Sequence, residues 1–253
     1  MLEFLLLGGV PASVWLMERM RRRKHARLHA QFLATLDGDV QVVLHVANHE
    51  AATRSQALDP LHLAYGLLQN EDIRERITGL GGDPTRVEDE VNTALDRLGD
   101  AGHARDALEA LAYVSAVANH LARQATCAEL WARLARNSAV VAAFDAGGLP
   151  AHRLLFAMIH GMEAPAPRLA APGSVHVVLR NDDVTTVEFV TSVLREVFQL
   201  DPETASKVTL QTHEQGRAII GRFPPDVAAT HVESARTRAR AAGFPLWVGV
   251  EPC

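Results

Sequence analysis

The chain has 253 residues, 48% hydrophobic and 22% charged, a globular balance with length enough for two ordinary domains. A formal net charge of -5 argues against nucleic acid as the main partner. Its two cysteines, Cys127 and Cys253, give neither a disulfide framework nor a zinc-ligand set, which points to a reducing compartment such as the cytoplasm.

Residues 1–17, MLEFLLLGGVPASVWLM, are apolar apart from Glu3 and Ser13. Arg19, Arg21, Arg22, Arg23, Lys24 and Arg27 follow at once. A secretory signal places its charges before the apolar core, so this order fits a cleaved signal poorly. The positive-inside rule puts the basic side and everything after it in the cytoplasm. Two readings stand for residues 1–38: an anchor or surface segment that tethers the chain to the inner membrane through residues 1–28, and a helix that packs on the rest of the chain.

From about Val40 the pattern is helical, and the chain resembles itself at an offset of 67 residues. Leu63 falls on Leu130, Ile77 on Phe144, Val87 on Leu154, Val91 on Met158 and Ala51 on Ala118. Asp59-Pro60 predicts a helix start, with Asp as N-cap and Pro in the first turn. Gly79, Gly81 and Gly82 stop the next helix, and Asp83, Pro84 and Thr85 restart one through Leu98. Helices with one apolar face each must pack on one another to close a core. Residues 47–51 together with DPLHLAYGLL resemble the N-terminal domain of Clp unfoldases, a double-repeat helical module with an EHLLLALL-like run at this point. His62 stands where that run has Glu. The resemblance implies that residues 39–162 bind partners and do no chemistry. With no GxxxxGK[ST] in the sequence, the ATPase modules that normally follow are not expected.

His45 and His49 lie four apart beside Glu50, and His25 and His29 share the spacing, so a metal pair can be drawn. The H-E-x-x-H order is not met, and ordinary surface histidines fit as well. No G-x-S-x-G elbow occurs, and neither cysteine has a catalytic setting. No catalytic residue, metal or cofactor is expected. Residues 163–174, with Pro165, Pro167 and Pro172 among alanines, read as a semi-rigid linker.

Residues 175–189, VHVVLRNDDVTTVEF, run from a buried strand into a helix through Asn181, Asp182 and Asp183. Thr185 with Glu188 predicts a capping box. Two acids and an amide at one corner suit a cation such as an ammonium group, and they equally serve to cap and solvate a turn. Val187, Val190, Leu194 and Val197 share one face of the helix. Asp201-Pro202 starts another, on which Thr209, Thr212 and His213 fall in adjacent turns. If the two faces meet, a small cavity forms near Asn181. Val187 and Val190 as plain core, with His213 a satisfied core histidine, is the other reading.

The order and spacing of NDD, Thr185, EFV at residues 188–190, His213, Gly216 with Arg217 and Ala218, Gly221, Thr230 and Pro245-Leu246 resemble the ClpS family of protease adaptors. The resemblance covers residues 175–253. It implies an α+β domain of order β-α-α-β-α-β that holds the amino-terminal residue of a substrate and hands the substrate to a Clp AAA+ unfoldase. Asn181, Asp182 and His213 would hold the α-ammonium, while Thr185, Val187, Val190, Thr209 and Thr212 would line the side-chain pocket. The family often has Met at the positions of Val187 and Thr209 and Val at that of Thr212, so the two threonine hydroxyls are expected to make the lining less apolar. Asp226 and His231 match positions where the family presents an acid and a lysine to the N-terminal domain of the unfoldase.

The fold class expected is therefore a two-domain chain, an all-α Clp N-domain-like double repeat followed by a ClpS-like α+β domain, acting as an adaptor and not an enzyme. Because such adaptors dock on the kind of domain that residues 39–162 resemble, docking in cis through Asp226 and His231 is expected. The alternatives are a regulatory or membrane-tethered homologue that docks without reading amino termini, and a metal-dependent hydrolase using the N-terminal histidines.

Overall fold

The computed structural model describes residues 27–98, 104–161 and 173–253. The proposed anchor at residues 1–17, the basic run up to Ala26, and most of the Pro/Ala linker lie outside the described residues. Among the described residues no helix is long and apolar enough to cross a membrane.

After a short helical stretch at residues 27–34, eight helices follow: α1 (Gly38–Thr53), α2 (Pro60–Leu68), α3 (Glu71–Gly79), α4 (Pro84–Asp96), α5 (Ala104–Leu121), α6 (Cys127–Leu134), α7 (Ser138–Ala146) and α8 (Ala151–His160). Helices α6, α7 and α8 begin 67 residues after α2, α3 and α4 respectively. The helix α2, PLHLAYGLL, is apolar nearly all round and is buried over almost its whole length, as a central helix must be. Gly66 permits the close approach of α1: a Cβ there would lie 2.5 Å from the carbonyl oxygen of Val43. In the second half of the bundle Trp131 packs against Phe144 at a tilt of 46°, with ring centroids 4.5 Å apart.

Both central helices open with a reciprocal cap. Asp59 accepts from Leu61 N–H, while the Asp59 N–H donates to His62 Nδ1 at 3.1 Å. Sixty-seven positions on, the Thr126 N–H donates to Glu129 Oε2 at 2.7 Å. His62 thus occupies the place of a capping-box glutamate, with its other ring nitrogen 3.1 Å from Gln56 Oε1. The ring is fully buried, and burial holds its pKa below the usual imidazole value. As the Nδ1 acceptor it is neutral, with its proton on Nε2.

The remaining elements are β1 (Val175–Arg180), α9 (Val187–Glu196), α10 (Pro202–Gln215), β2 (Arg217–Phe223), α11 (Pro225–Ala242) and β3 (Trp247–Pro252). Strand β1 lies between β2 and β3, antiparallel to both, with a bulge at Val177/Val178. The core of this half joins Val177, Leu179 and Val248 of the sheet to Leu194, Val208, Val232 and Ala235 of the helices. It is separate from the core of the bundle, with one crossing: Val184, between β1 and α9, is buried in the bundle core.

The two halves touch elsewhere too. His160 Nε2–H donates to the Pro245 carbonyl at 2.7 Å, and the Arg136 guanidinium lies 4.4 Å above the Phe244 ring. Expected docking through Asp226 and His231 is corrected here. Asp226 is exposed at the start of α11, and His231 packs between the rings of Phe198 and Phe223. No hydrogen bond, ion pair or ring contact among the described residues joins either to the bundle. The contact falls instead on the Asp183–Val184 corner and on residues 243–245, because apolar Val184 and the turn after α11 are what the bundle can bury.

Candidate functional site

The corner between β1 and α9 is held by main chain. Helix α10 ends at Gly216, whose φ of 76° is the left-handed conformation that glycine adopts freely, and the Gly216 carbonyl accepts from Asn181 N–H at 2.9 Å. The corner and the last turn of α10 are thereby fastened together, and His213, at the end of α10, comes to the same side as Asn181.

Asp182 then folds the corner on itself. Its Oδ1 accepts from Val184 N–H at 2.9 Å and from Thr185 N–H at 2.6 Å, and its Oδ2 accepts from the Thr185 hydroxyl at 2.9 Å. With about four lone-pair positions on a carboxylate, this turn uses most but not all of its accepting capacity. The expected capping box is corrected: the N-cap of α9 is Thr186, whose hydroxyl accepts from Phe189 N–H, while Thr185 is bound back to Asp182. The Asp182 carboxylate takes Thr185 before the helix can.

A cavity of about 190 Å³ opens beside this corner. It brings together all eight residues expected to form the binding pocket: Asn181, Asp182, Thr185, Val187, Val190, Thr209, Thr212 and His213. Their depths differ. Thr209 and Thr212 are buried, Val190 is half-buried, and Val187 is 59% exposed at the rim, not on the floor. Val187 sits in the first turn of α9, where the helix leaves the core. The side chains of Asn181 and His213 have no hydrogen-bond partner among the described residues.

The two threonine hydroxyls of the lining have intrahelical partners. The Thr209 hydroxyl donates to the Ala205 carbonyl and that of Thr212 to the Val208 carbonyl, each at 2.8 Å. Both hydroxyl protons are spent on their own helix four residues back, so neither hydroxyl offers a free donor to the slot.

The charges at the mouth are unequal. Asp183 is paired with Arg123 of the bundle at 3.1 Å, and the Arg180 guanidinium lies 4.1 Å above the Trp247 ring. Asp182 is left as the one carboxylate of the slot without a cationic partner among the described residues. A small cationic group with N–H donors, beside an apolar side chain, fits this arrangement.

Sequence reasoning missed His120 and Leu121, which also line the cavity and come from the end of α5. No local signal marks them, since the contact depends on how the two halves pack. Elsewhere, His45 and His49 are exposed on α1, and no group of three or more His, Cys, Asp or Glu among the described residues is placed to hold a metal. Burial pushes the Cys127 thiol up to about 12, with Asp37 adding to it, which makes it an inert core thiol.

The model of the family "ATP-dependent Clp protease adaptor protein ClpS" matches residues 170–249. The ATP-dependent Clp protease adapter proteins ClpS of Burkholderia cenocepacia (strain HI2424) and Burkholderia vietnamiensis (strain G4 / LMG 22486) are each 44% identical over 85 residues, covering 34% of this chain and 82% of the relative. A solved structure of Agrobacterium tumefaciens ClpS2 bound to L-phenylalaninamide is 37% identical, covering 33% of this chain and all of that one, with a TM-score of 0.32. By the family model and the Burkholderia relatives, the chain belongs, through its C-terminal half, to the ClpS family of non-catalytic adaptors for the Clp protease.

Proposed function

We propose that the slot binds the free amino-terminal residue of substrate proteins. Asn181 and Asp182 accept from the α-ammonium, His213 completes the polar end, and Val190, Thr209 and Thr212 receive the first side chain, with Thr185 and Val187 at the rim. The observation that carries this reading is the meeting in one cavity of an uncommitted amide, an unpaired carboxylate and an apolar lining. Charge-assisted hydrogen bonds contribute about 1.5–3 kcal/mol each, and burial of an apolar side chain a similar amount, so the ammonium decides between free and blocked ends.

The test is fluorescence anisotropy of the intact chain with peptides beginning Phe, Leu, Tyr, Trp or Met, each beside an acetylated control. Binding of the free peptides, lost by at least about ten-fold on acetylation and in Asn181→Ala, is expected. Equal binding of free and acetylated peptides sinks the reading.

Delivery requires a second surface. We assign this surface to the exposed Asp226 and the half-buried His231, neither of which is joined to the bundle by a hydrogen bond, ion pair or ring contact among the described residues, as the face that meets the N-terminal domain of a separate Clp unfoldase. Loss of calorimetric binding to such a domain in Asp226→Arg is the expected result. Residues 39–162 we assign to a Clp N-domain-like double repeat, on the strength of helix starts that recur at 67 residues and of matched caps at Asp59/His62 and Thr126/Glu129.

A further inference from the structure

We infer that the helical half supplies one wall of the peptide slot, so that the substrate terminus is read by both halves of the chain; this rests on the slot's taking a free amino terminus. Leu121 and His120, at the end of α5, line the same cavity as Asn181, Asp182 and His213. Their placement is fixed by several independent contacts. Directly after α5, Ala122 adopts a φ of 50°, a left-handed conformation that costs a non-glycine residue about 1 kcal/mol and persists only where the surroundings enforce it. That reversal sends Arg123 toward the corner, where its Nη2 lies 2.7 Å from Glu129 Oε1 and 3.1 Å from Asp183 Oδ2. Glu129 is itself buried and tied to Thr126, so Arg123 is anchored in the bundle before it meets the corner. One residue beyond Asp183, Val184 is sunk in the bundle core. The loop that carries Asn181 and Asp182 is thus pinned to the bundle directly after its charge, at Asp183 by the residue that follows Leu121 and Ala122 and at Val184 by the bundle core.

The consequence is specific to a chain with both halves. Leu121 offers an apolar, half-buried side chain at the slot, and the first residues of a bound peptide pass it. Leu121 is a contact residue for the peptide, and Arg123 is a positioning residue that acts through Asp183.

The experiment measures peptide Kd by anisotropy on the intact chain with Leu121→Ala, Leu121→Trp, Arg123→Ala and Arg123→Lys, beside Asn181→Ala, and records melting temperature for each. Leu121→Ala is expected to weaken a Phe-initial peptide about five-fold with an unchanged melting temperature. Leu121→Trp is expected to weaken Phe-initial peptides more than Leu-initial ones, because it takes space at the mouth. Arg123→Ala weakens binding, and Arg123→Lys restores part of it. If free peptides bind and Asn181→Ala abolishes binding while both Leu121 variants behave as wild type, the wall is overturned and the slot stands. If the intact chain binds no free peptide, the slot falls and the wall with it.

Discussion

Arg123 and Asp183, sixty positions apart in sequence, meet at 3.1 Å. The same guanidinium nitrogen satisfies Glu129, whose side chain is buried at the start of α6. Burial pushes the Glu129 carboxyl up, but Arg123 and the hydroxyl and N–H of Thr126 more than offset it and hold the group below the usual carboxylate value. A depressed folded value means stability that is fully present above the unfolded value of about 4.5 and is lost as pH falls through the folded one. Glu129→Gln should cost about 1–3 kcal/mol at neutral pH and flatten the decline of stability below about pH 4.5, as read by urea unfolding.

His62 gives a slope of the same sign at higher pH. Its folded pKa is lowered by burial, so below about 6.5 the unfolded chain takes up a proton that the folded chain does not. Stability therefore falls as pH drops from about 6.5 toward the folded value, where the loss levels off. His62→Ala removes this dependence. It also strips the Asp59 N–H of its acceptor and leaves a void, at a cost of about 1–3 kcal/mol by thermal or urea unfolding.

At Asp182, charge and turn can be separated. Asp182→Asn keeps a carbonyl for Val184 N–H and Thr185 N–H while removing the negative charge. It should lower affinity for free amino-terminal peptides about ten-fold and change stability by less than about 1 kcal/mol. Asp182→Ala leaves both amides without their acceptor and should cost about 1–3 kcal/mol as well as binding, measured on the same samples by anisotropy and by denaturant midpoint.

Thr212→Val tests whether the slot is already apolar. Since the hydroxyl is spent on the Val208 carbonyl, its loss should leave peptide Kd within about two-fold and stability within about 1 kcal/mol. An affinity gain of more than about ten-fold would instead mean that the hydroxyl faces the ligand.

Val184 tests the joint. Val184→Lys places a charge in the bundle core and should free the two halves from each other, seen as a larger radius of gyration by X-ray scattering and as two unfolding transitions in place of one.

The sequence makes the corner legible because its signals are local. A β-branched run, three polar residues and a Thr with a following helix pattern lie within fifteen residues, and the partner helix announces itself at Asp201-Pro202. The phase of Thr209, Thr212 and His213 brings them to the slot that the corner opens. What local pattern cannot settle is competition for one acceptor. Thr185 and Thr186 are equally good N-caps in isolation, and only the reach of Asp182 decides for Thr186. It also hides that the hydroxyls of Thr209 and Thr212 turn back on their own helix. The end of α5 is beyond it altogether, since nothing near Leu121 points to residues sixty positions away.

The Asn181–Gly216 bond has a further consequence for how such a slot can change. The distance between its two polar edges is set by backbone atoms, through a carbonyl that no substitution removes. Exchanges at 190, 209 or 212 can therefore retune which first residue is favoured while the grip on the chain end keeps its dimensions, whereas a single residue added or lost in the last turn of α10 would throw the grip out of alignment with every lining side chain intact.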